Sequence, residues 1–134
     1  MQTAPSLEEE TISDPTVNVL IVDDQPPFRE VARTVVAVTP GFQVADEADS
    51  GELALERACS VRPDLVLMDI NLPGINGIEA TRRIRAELPD TVVVLLSTYT
   101  RDDLPADAAS CGAARYVHKE DISPAVLLEV WQDR

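Results

Sequence analysis

At 134 residues the chain has room for one domain with a single core and little beyond it. Its 24 acidic residues against 11 basic ones leave a net charge of −13, which repels phosphate backbones and anionic lipid and so argues against direct binding to nucleic acid or membrane. A hydrophobic content of 45% fits a globular chain; with no basic-plus-apolar leader and no apolar run long enough to span a bilayer, a cytoplasmic protein is expected. Cys59 and Cys111 read as small core hydrophobes in a reducing compartment, with no C-x-x-C pair and a single histidine, His118.

In chain order, Met1 to Thr16 carries Glu8, Glu9, Glu10 and Asp14 with only Leu7 and Ile12 as large apolar residues, so it is expected to be a flexible acidic tail. Val17 to Val22 is a β-branched apolar run and reads as a first strand, ending at Asp23 and Asp24. Beyond the breakers Pro26 and Pro27, the residues Phe28, Val31, Val35 and Val38 recur at helical spacing until Pro40 and Gly41. Phe42 to Ala45 is a short second strand. Ser50 caps a second helix through Leu53, Ala54, Leu55 and Ala58, which Arg62 and Pro63 end. Leu65 to Met68 is a continuous apolar run that suits a strand buried on both faces, and Asp69 closes it.

Gly77 opens a third helix, Ile78 through Leu88, with Arg82, Arg83 and Arg85 on a solvated face. Thr91 to Leu96, the most apolar run, should be a central strand ending at Ser97 and Thr98. Pro105 starts a short helix of small residues, Ala106 to Ser110, closed by Gly112. Arg115 to His118 is a fifth strand followed by Lys119, and Ser123 with Pro124 begins a last helix bearing Val126, Leu127, Val130 and an exposed Trp131. Strands alternating with helices predict an α/β domain, a doubly wound five-stranded parallel sheet in the flavodoxin-like order 2-1-3-4-5 with helices on both faces.

In that topology the carboxyl ends of the first, third, fourth and fifth strands converge on one edge, where open α/β folds keep their ligands. Those ends carry Asp23 with Asp24, Asp69, Ser97 with Thr98, and Lys119. Three neighbouring carboxylates repel one another, and a hard divalent cation such as Mg²⁺ offsets that repulsion through oxygen ligands. A hydroxyl and an ammonium facing the same cluster make sense when an anion arrives, because cation, Lys119 and Ser97 each take part of a phosphoryl group's charge. A carboxylate then serves as nucleophile, so the chemistry suggested is phosphoryl transfer onto Asp69. Each part alone has a duller explanation: the aspartates could cap the first helix, Ser97 could bond to its own backbone, and Lys119 could pair with Glu120 or Asp121. The conjunction at successive strand ends carries the reading.

These residues resemble the receiver domain of two-component response regulators. Its pattern is an acidic pair after the first strand, a phosphoacceptor Asp after the third followed by a P-G-x-x-G turn, a Ser or Thr after the fourth, and a Lys after the fifth. Asp23 with Asp24, Asp69 with Pro73-Gly74-Ile75-Asn76-Gly77, Ser97 and Lys119 match it over Val17 to the C-terminus. The resemblance implies that Asp69 is phosphorylated from a sensor histidine kinase or a histidine phosphotransfer protein. It also implies that Asp24, Asp69 and the backbone carbonyl of Asn71 hold Mg²⁺, with Asp23 acting mainly through bound water, and that Tyr116 is an aromatic switch moving inward as Ser97 swings toward the phosphoryl group. Thr98, where many members have Ala, and Glu120, where many have Pro, depart from the common pattern.

The leading expectation is a phosphorylation-dependent switch that signals by binding a downstream protein effector, with a phosphorylation-linked homodimer permitted by apolar residues such as Trp131. Such a protein is no enzyme beyond catalysing its own phosphorylation and dephosphorylation. The alternatives are the regulatory part of a helix-turn-helix transcription factor and a pseudo-receiver scaffold without turnover, the latter opposed by the intact set of site residues. A haloacid-dehalogenase-type phosphatase also uses an Asp nucleophile with Mg²⁺, but Asp69 is followed by Ile70 and Asn71 rather than completing D-x-D.

Overall fold

Alternation along the first strand decides how the domain is layered. In β1 (Val17–Val22), Val19 and Ile21 turn to one face of the sheet while Leu20 and Val22 turn to the other, and both sets are buried. A strand that is apolar on both faces needs a helix layer on each, which is what parallel βα crossovers supply. The computed structural model describes residues 16–98 and 105–134. Its remaining elements are α1 (Pro26–Val38), β2 (Phe42–Ala48), α2 (Gly51–Val61), β3 (Leu65–Asp69), α3 (Gly77–Glu87), β4 (Val92–Ser97), β5 (Arg115–His118) and α4 (Pro124–Asp133), with 3₁₀ turns at Ala106–Ser110 and Lys119–Asp121.

The five strands are parallel in the order β2-β1-β3-β4-β5, as expected. Helices α2 and α3 cover the face carrying Leu20, Val66, Met68, Val93 and Leu95. The opposite face, with Val19, Ile21, Leu65, Leu67, Val94 and Leu96, packs against Ala32 and Val36 of α1 and Leu127 and Val130 of α4. The two predicted caps form, the Ser50 and Ser123 hydroxyls accepting from Leu53 N at 3.1 Å and Val126 N at 3.2 Å; Asn76, not foreseen as a cap, accepts from Glu79 N at 2.9 Å at the start of α3.

Several expectations need correction. The second strand runs on to Ala48, not Ala45, because it is an edge strand on which Asp46 and Glu47, turned to opposite faces, pair with Arg57 of α2 and with Arg29 and Arg33 of α1; its register against β1 shifts between Val19 and Leu20. The duller alternative for Asp23 and Asp24, capping of α1, does not hold, since the N-cap is Gln25 without a side-chain bond. Cys111 is buried, but Cys59 is exposed on α2 because Ala54 and Ala58 take the inward positions; both cysteines are free. Trp131 is not an exposed apolar residue: it is partly buried, edge-on to Phe42 at 6.4 Å between ring centroids, with the Arg134 guanidinium over its ring. Of the three α3 arginines, Arg82 and Arg83 pair with Glu79, whereas Arg85 turns back to the carbonyls of Pro89 and Thr91. The short helix expected after Pro105 forms over Ala106–Ser110, as a 3₁₀ helix in which only Ala108 is buried. The acidic tail expected over residues 1–16 lies outside the described residues except for Thr16.

Candidate functional site

A parallel sheet delivers all its strand ends to one edge. Asp69 is the last residue of β3 and Ser97 the last of β4, while Asp23 and Lys119 immediately follow β1 and β5. Register sets Asp69 opposite Leu96 and Ser97 opposite His118, so Asp69, Ser97 and Lys119 leave adjacent strands in successive one-residue steps.

Asp23, Asp24 and Asp69 offer carboxylate oxygens that all lie within 4.8 Å of one another, the first and last buried and Asp24 exposed. Into this cluster comes the Lys119 ammonium, donating to Asp23 Oδ2 at 2.6 Å and lying 3.6 Å from Asp69 Oδ2. Asp23 is held on both sides, since its Oδ1 accepts from Gln25 N at 2.8 Å and the Arg29 guanidinium donates to its backbone carbonyl at 2.7 Å. Asp69 Oδ1 accepts from Asn71 N at 3.2 Å.

One lysine does not balance three acids. Burial, followed by repulsion from Asp23, pushes the Asp69 carboxyl up to about 6, against the opposing pull of Lys119 and the Asn71 N–H. A buried set of oxygen donors short of positive charge suits a hard divalent cation, so the Asp23, Asp24 and Asp69 cluster could hold a metal.

The loop after Asp69 is fixed by close packing. Gly77 N donates to Ile70 O at 2.8 Å, and a Cβ on Gly77 would come within 2.0 Å of the Asp69 carbonyl oxygen. Gly74 adopts a positive φ of 74° against the Glu52 carboxylate, which accepts from Ile75 N at 3.1 Å. The turn after the third strand is thus tied to the start of α2.

Ser97 is buried at the end of β4. Tyr116 lies outside the carboxylate cluster: it is 36% exposed, its hydroxyl donates to the Ala108 carbonyl, and burial of the ring raises its pKa. The Lys119–Glu120 peptide is trans.

Sequence reasoning missed two neighbours of the site. His118, counted only as the lone histidine, bridges two strand exits. Glu120 N–H donates to its Nδ1 at 3.1 Å, so the proton sits on Nε2, which donates to Thr98 O at 3.1 Å. Phe28, read only as part of a helix face, has its ring 4.5 Å from the Lys119 ammonium. Its place one turn beyond Asp24 is the only sequence signal for this, and it gives no hint of the partner at the far end of the chain.

The response regulator receiver domain family matches residues 19–131. The chain is 34% identical over 118 residues to the transcriptional regulatory protein DegU of Brevibacillus brevis, covering 88% of this chain and 50% of that protein. It is 41% identical over 103 residues to the response regulator GacA of Pseudomonas viridiflava, covering 77% and 48% respectively. Among solved structures, the receiver domain of the putative response regulator NarL from Mycobacterium tuberculosis superposes with a TM-score of 0.78 at 32% identity, covering 89% of this chain and 95% of that one. A LuxR-family two-component response regulator from an Aurantimonas species gives a TM-score of 0.78 at 33% identity, covering 88% and 84%. The chain belongs to the response regulator receiver domain family. Members of this class are signalling switches of two-component systems rather than conventional enzymes, and work with histidine kinases and downstream effectors. The chain spans about half the length of the curated relatives it matches. Among the described residues no helix is long and apolar enough to cross a membrane.

Proposed function

We propose that this receiver accepts a phosphoryl group on Asp69 from a sensor histidine kinase or a histidine phosphotransfer protein, in the cytoplasm, and passes the signal to a protein effector. The observation that carries this reading is the Lys119 ammonium poised between Asp23 and Asp69, beside an Asp69 carboxyl that burial and like charge keep basic. A carboxylate of raised basicity is a better nucleophile once ionised, and a pKa of about 6 leaves it mostly ionised at neutral pH.

In the proposed step, an oxygen of Asp69 forms a bond to phosphorus as the bond from phosphorus to the donor's imidazole nitrogen breaks, and the departing imidazole takes up a proton. Lys119 moves the short distance from Asp23 toward the new phosphoryl oxygens, and the Ser97 hydroxyl donates to another. Asp24, Asp69 and the Asn71 backbone carbonyl would hold Mg²⁺, with Asp23 acting mainly through bound water. That ion would supply charge neutralisation for the incoming phosphoryl oxygens. Ser97 and Tyr116 would form the switch: the outward Tyr116, bonded to the Ala108 carbonyl, is the arrangement expected before phosphorylation.

Incubation with acetyl phosphate and Mg²⁺ is expected to add one acid-labile phosphoryl group by intact mass. None should appear with a chelator present or in Asp69→Asn. Equal labelling of the Asn variant would move the acceptor elsewhere.

A second reading is supported by the length of the relatives. DegU is a transcriptional regulatory protein, and this chain spans about half of it. We infer that the same receiver can serve as the regulatory part of a longer DNA-binding regulator, in which phosphorylation controls an attached output domain. The two readings share the chemistry at Asp69 and differ in what the switch acts on.

A further inference from the structure

We propose that Phe28 is a positioning residue for phosphoryl transfer, its ring forming the surface along which the Lys119 ammonium travels between Asp23 and the phosphoryl group on Asp69. The inference rests on the reading of Asp69 as acceptor. The Lys119 side chain is 11% exposed and lies against Asp23 Oδ2 at 2.6 Å, Asp69 Oδ2 at 3.6 Å, and the face of Phe28 at 4.5 Å from the ring centroid. The first two are directional acceptors at unequal distances, so in the resting protein the ammonium sits on Asp23. The third is the negative face of an aromatic quadrupole, which attracts a cation without demanding a particular N–H direction.

That difference in kind matters for the reaction. To help Asp69, the ammonium must shift by roughly the length of a bond from Asp23 toward the incoming phosphoryl oxygens. A polar group in the place of Phe28 would add a third directional acceptor and hold the lysine back. An aliphatic group would leave that side of the ammonium with no compensation for its lost hydration. An aromatic face attracts the cation without an N–H direction to be broken, so it counts most once the ammonium has left Asp23, where it replaces part of the lost contact.

The local structure holds the ring in this place. Phe28 lies in the first turn of α1 directly after Pro26 and Pro27, its N–H donates to Gln25 O at 3.0 Å, and its ring packs on the core beneath α1 and α4. The next residue, Arg29, donates to the Asp23 carbonyl, so the helix start and the acid that parks the lysine are one rigid piece.

The test is the rate of labelling by acetyl phosphate at saturating Mg²⁺ in Phe28→Leu and Phe28→Trp, with Asp69→Asn alongside. Removing the ring face should slow labelling about 5- to 30-fold, and Phe28→Trp should restore most of the loss. In proton NMR, the Lys119 ε-methylene resonances should lie upfield through the ring current in the wild type and in Phe28→Trp, and return to ordinary values in Phe28→Leu. Cooperative urea unfolding of each variant establishes that it is folded. Wild-type labelling rates in Phe28→Leu, or equal slowing in Phe28→Leu and Phe28→Trp, would overturn the proposal. Labelling that persists in Asp69→Asn would instead overturn the acceptor assignment.

Discussion

Asp69→Asn is expected to make the metal-free protein more stable at neutral pH, although it removes the residue on which the proposed chemistry depends. The native Asp69 carboxyl holds its proton up to about pH 6, whereas the unfolded chain releases it near 3.8. Between those values the native state binds more protons than the unfolded state, so stability falls as pH rises through the window. Above pH 6 the whole penalty is present, and the interval corresponds to about 3 kcal/mol. Asn keeps the shape and can accept from Asn71 N but carries no charge, so at pH 7.5 in chelator its urea midpoint should lie above that of the wild type by an amount approaching that figure. At pH 4 the two midpoints should converge. Adding Mg²⁺ should raise the wild type more than the variant, by about 1.4 kcal/mol for each tenfold excess over the dissociation constant. Identical midpoints at pH 7.5 without metal would mean that the acidic cluster is not short of positive charge.

The second large effect is expected at Gly77. A methyl group there would meet the Asp69 carbonyl oxygen at 2.0 Å and the Ile70 Cα at 2.9 Å, and real Cβ atoms essentially never come within 3.0 Å of such neighbours. Backbone on both sides of the clash leaves no flexible side chain to yield. Gly77→Ala should therefore cost about 3 kcal/mol in urea unfolding, and because the atoms pushed aside belong to Asp69 itself, labelling by acetyl phosphate should slow as well. Gly41→Ala makes a useful comparison: its positive φ of 84° makes it costly, by about 1 kcal/mol, but nothing lies within 4 Å of the added methyl and it is remote from the site. It should lose stability while labelling at the wild-type rate. A Gly77→Ala protein as stable as the wild type would show that the turn after β3 relaxes freely.

The strand ends were legible in the sequence because burial on both faces forces unbroken apolar runs, and each run stops where the backbone reaches the ligand edge. Val17 to Val22, Leu65 to Met68 and Thr91 to Leu96 are each followed directly by a polar residue of the candidate site, Asp23, Asp69 and Ser97. Edge strand β2 was read too short because one exposed side removes the apolar signal after Ala45. Cys59 was misplaced because composition ranks cysteine as a core residue, whereas the position is decided by the helical phase of Ala54 and Ala58. Trp131 was misread for a related reason: its contact with Phe42 joins the start of the second strand to the last helix, and no local pattern encodes it. Phe28 and His118 escaped for the same cause, since the Lys119 ammonium and the Thr98 carbonyl are supplied by distant strands. Gly77 could be read as a turn residue, but not as one pressed against the backbone of Asp69.

Chemical mapping of the phosphoryl group shows most directly which carboxylate accepts it. Protein labelled with acetyl phosphate and Mg²⁺, reduced with borohydride and digested, should yield homoserine at position 69 and unmodified aspartate at positions 23 and 24. Homoserine at Asp23 or Asp24, or a label that resists borohydride altogether, would contradict the account.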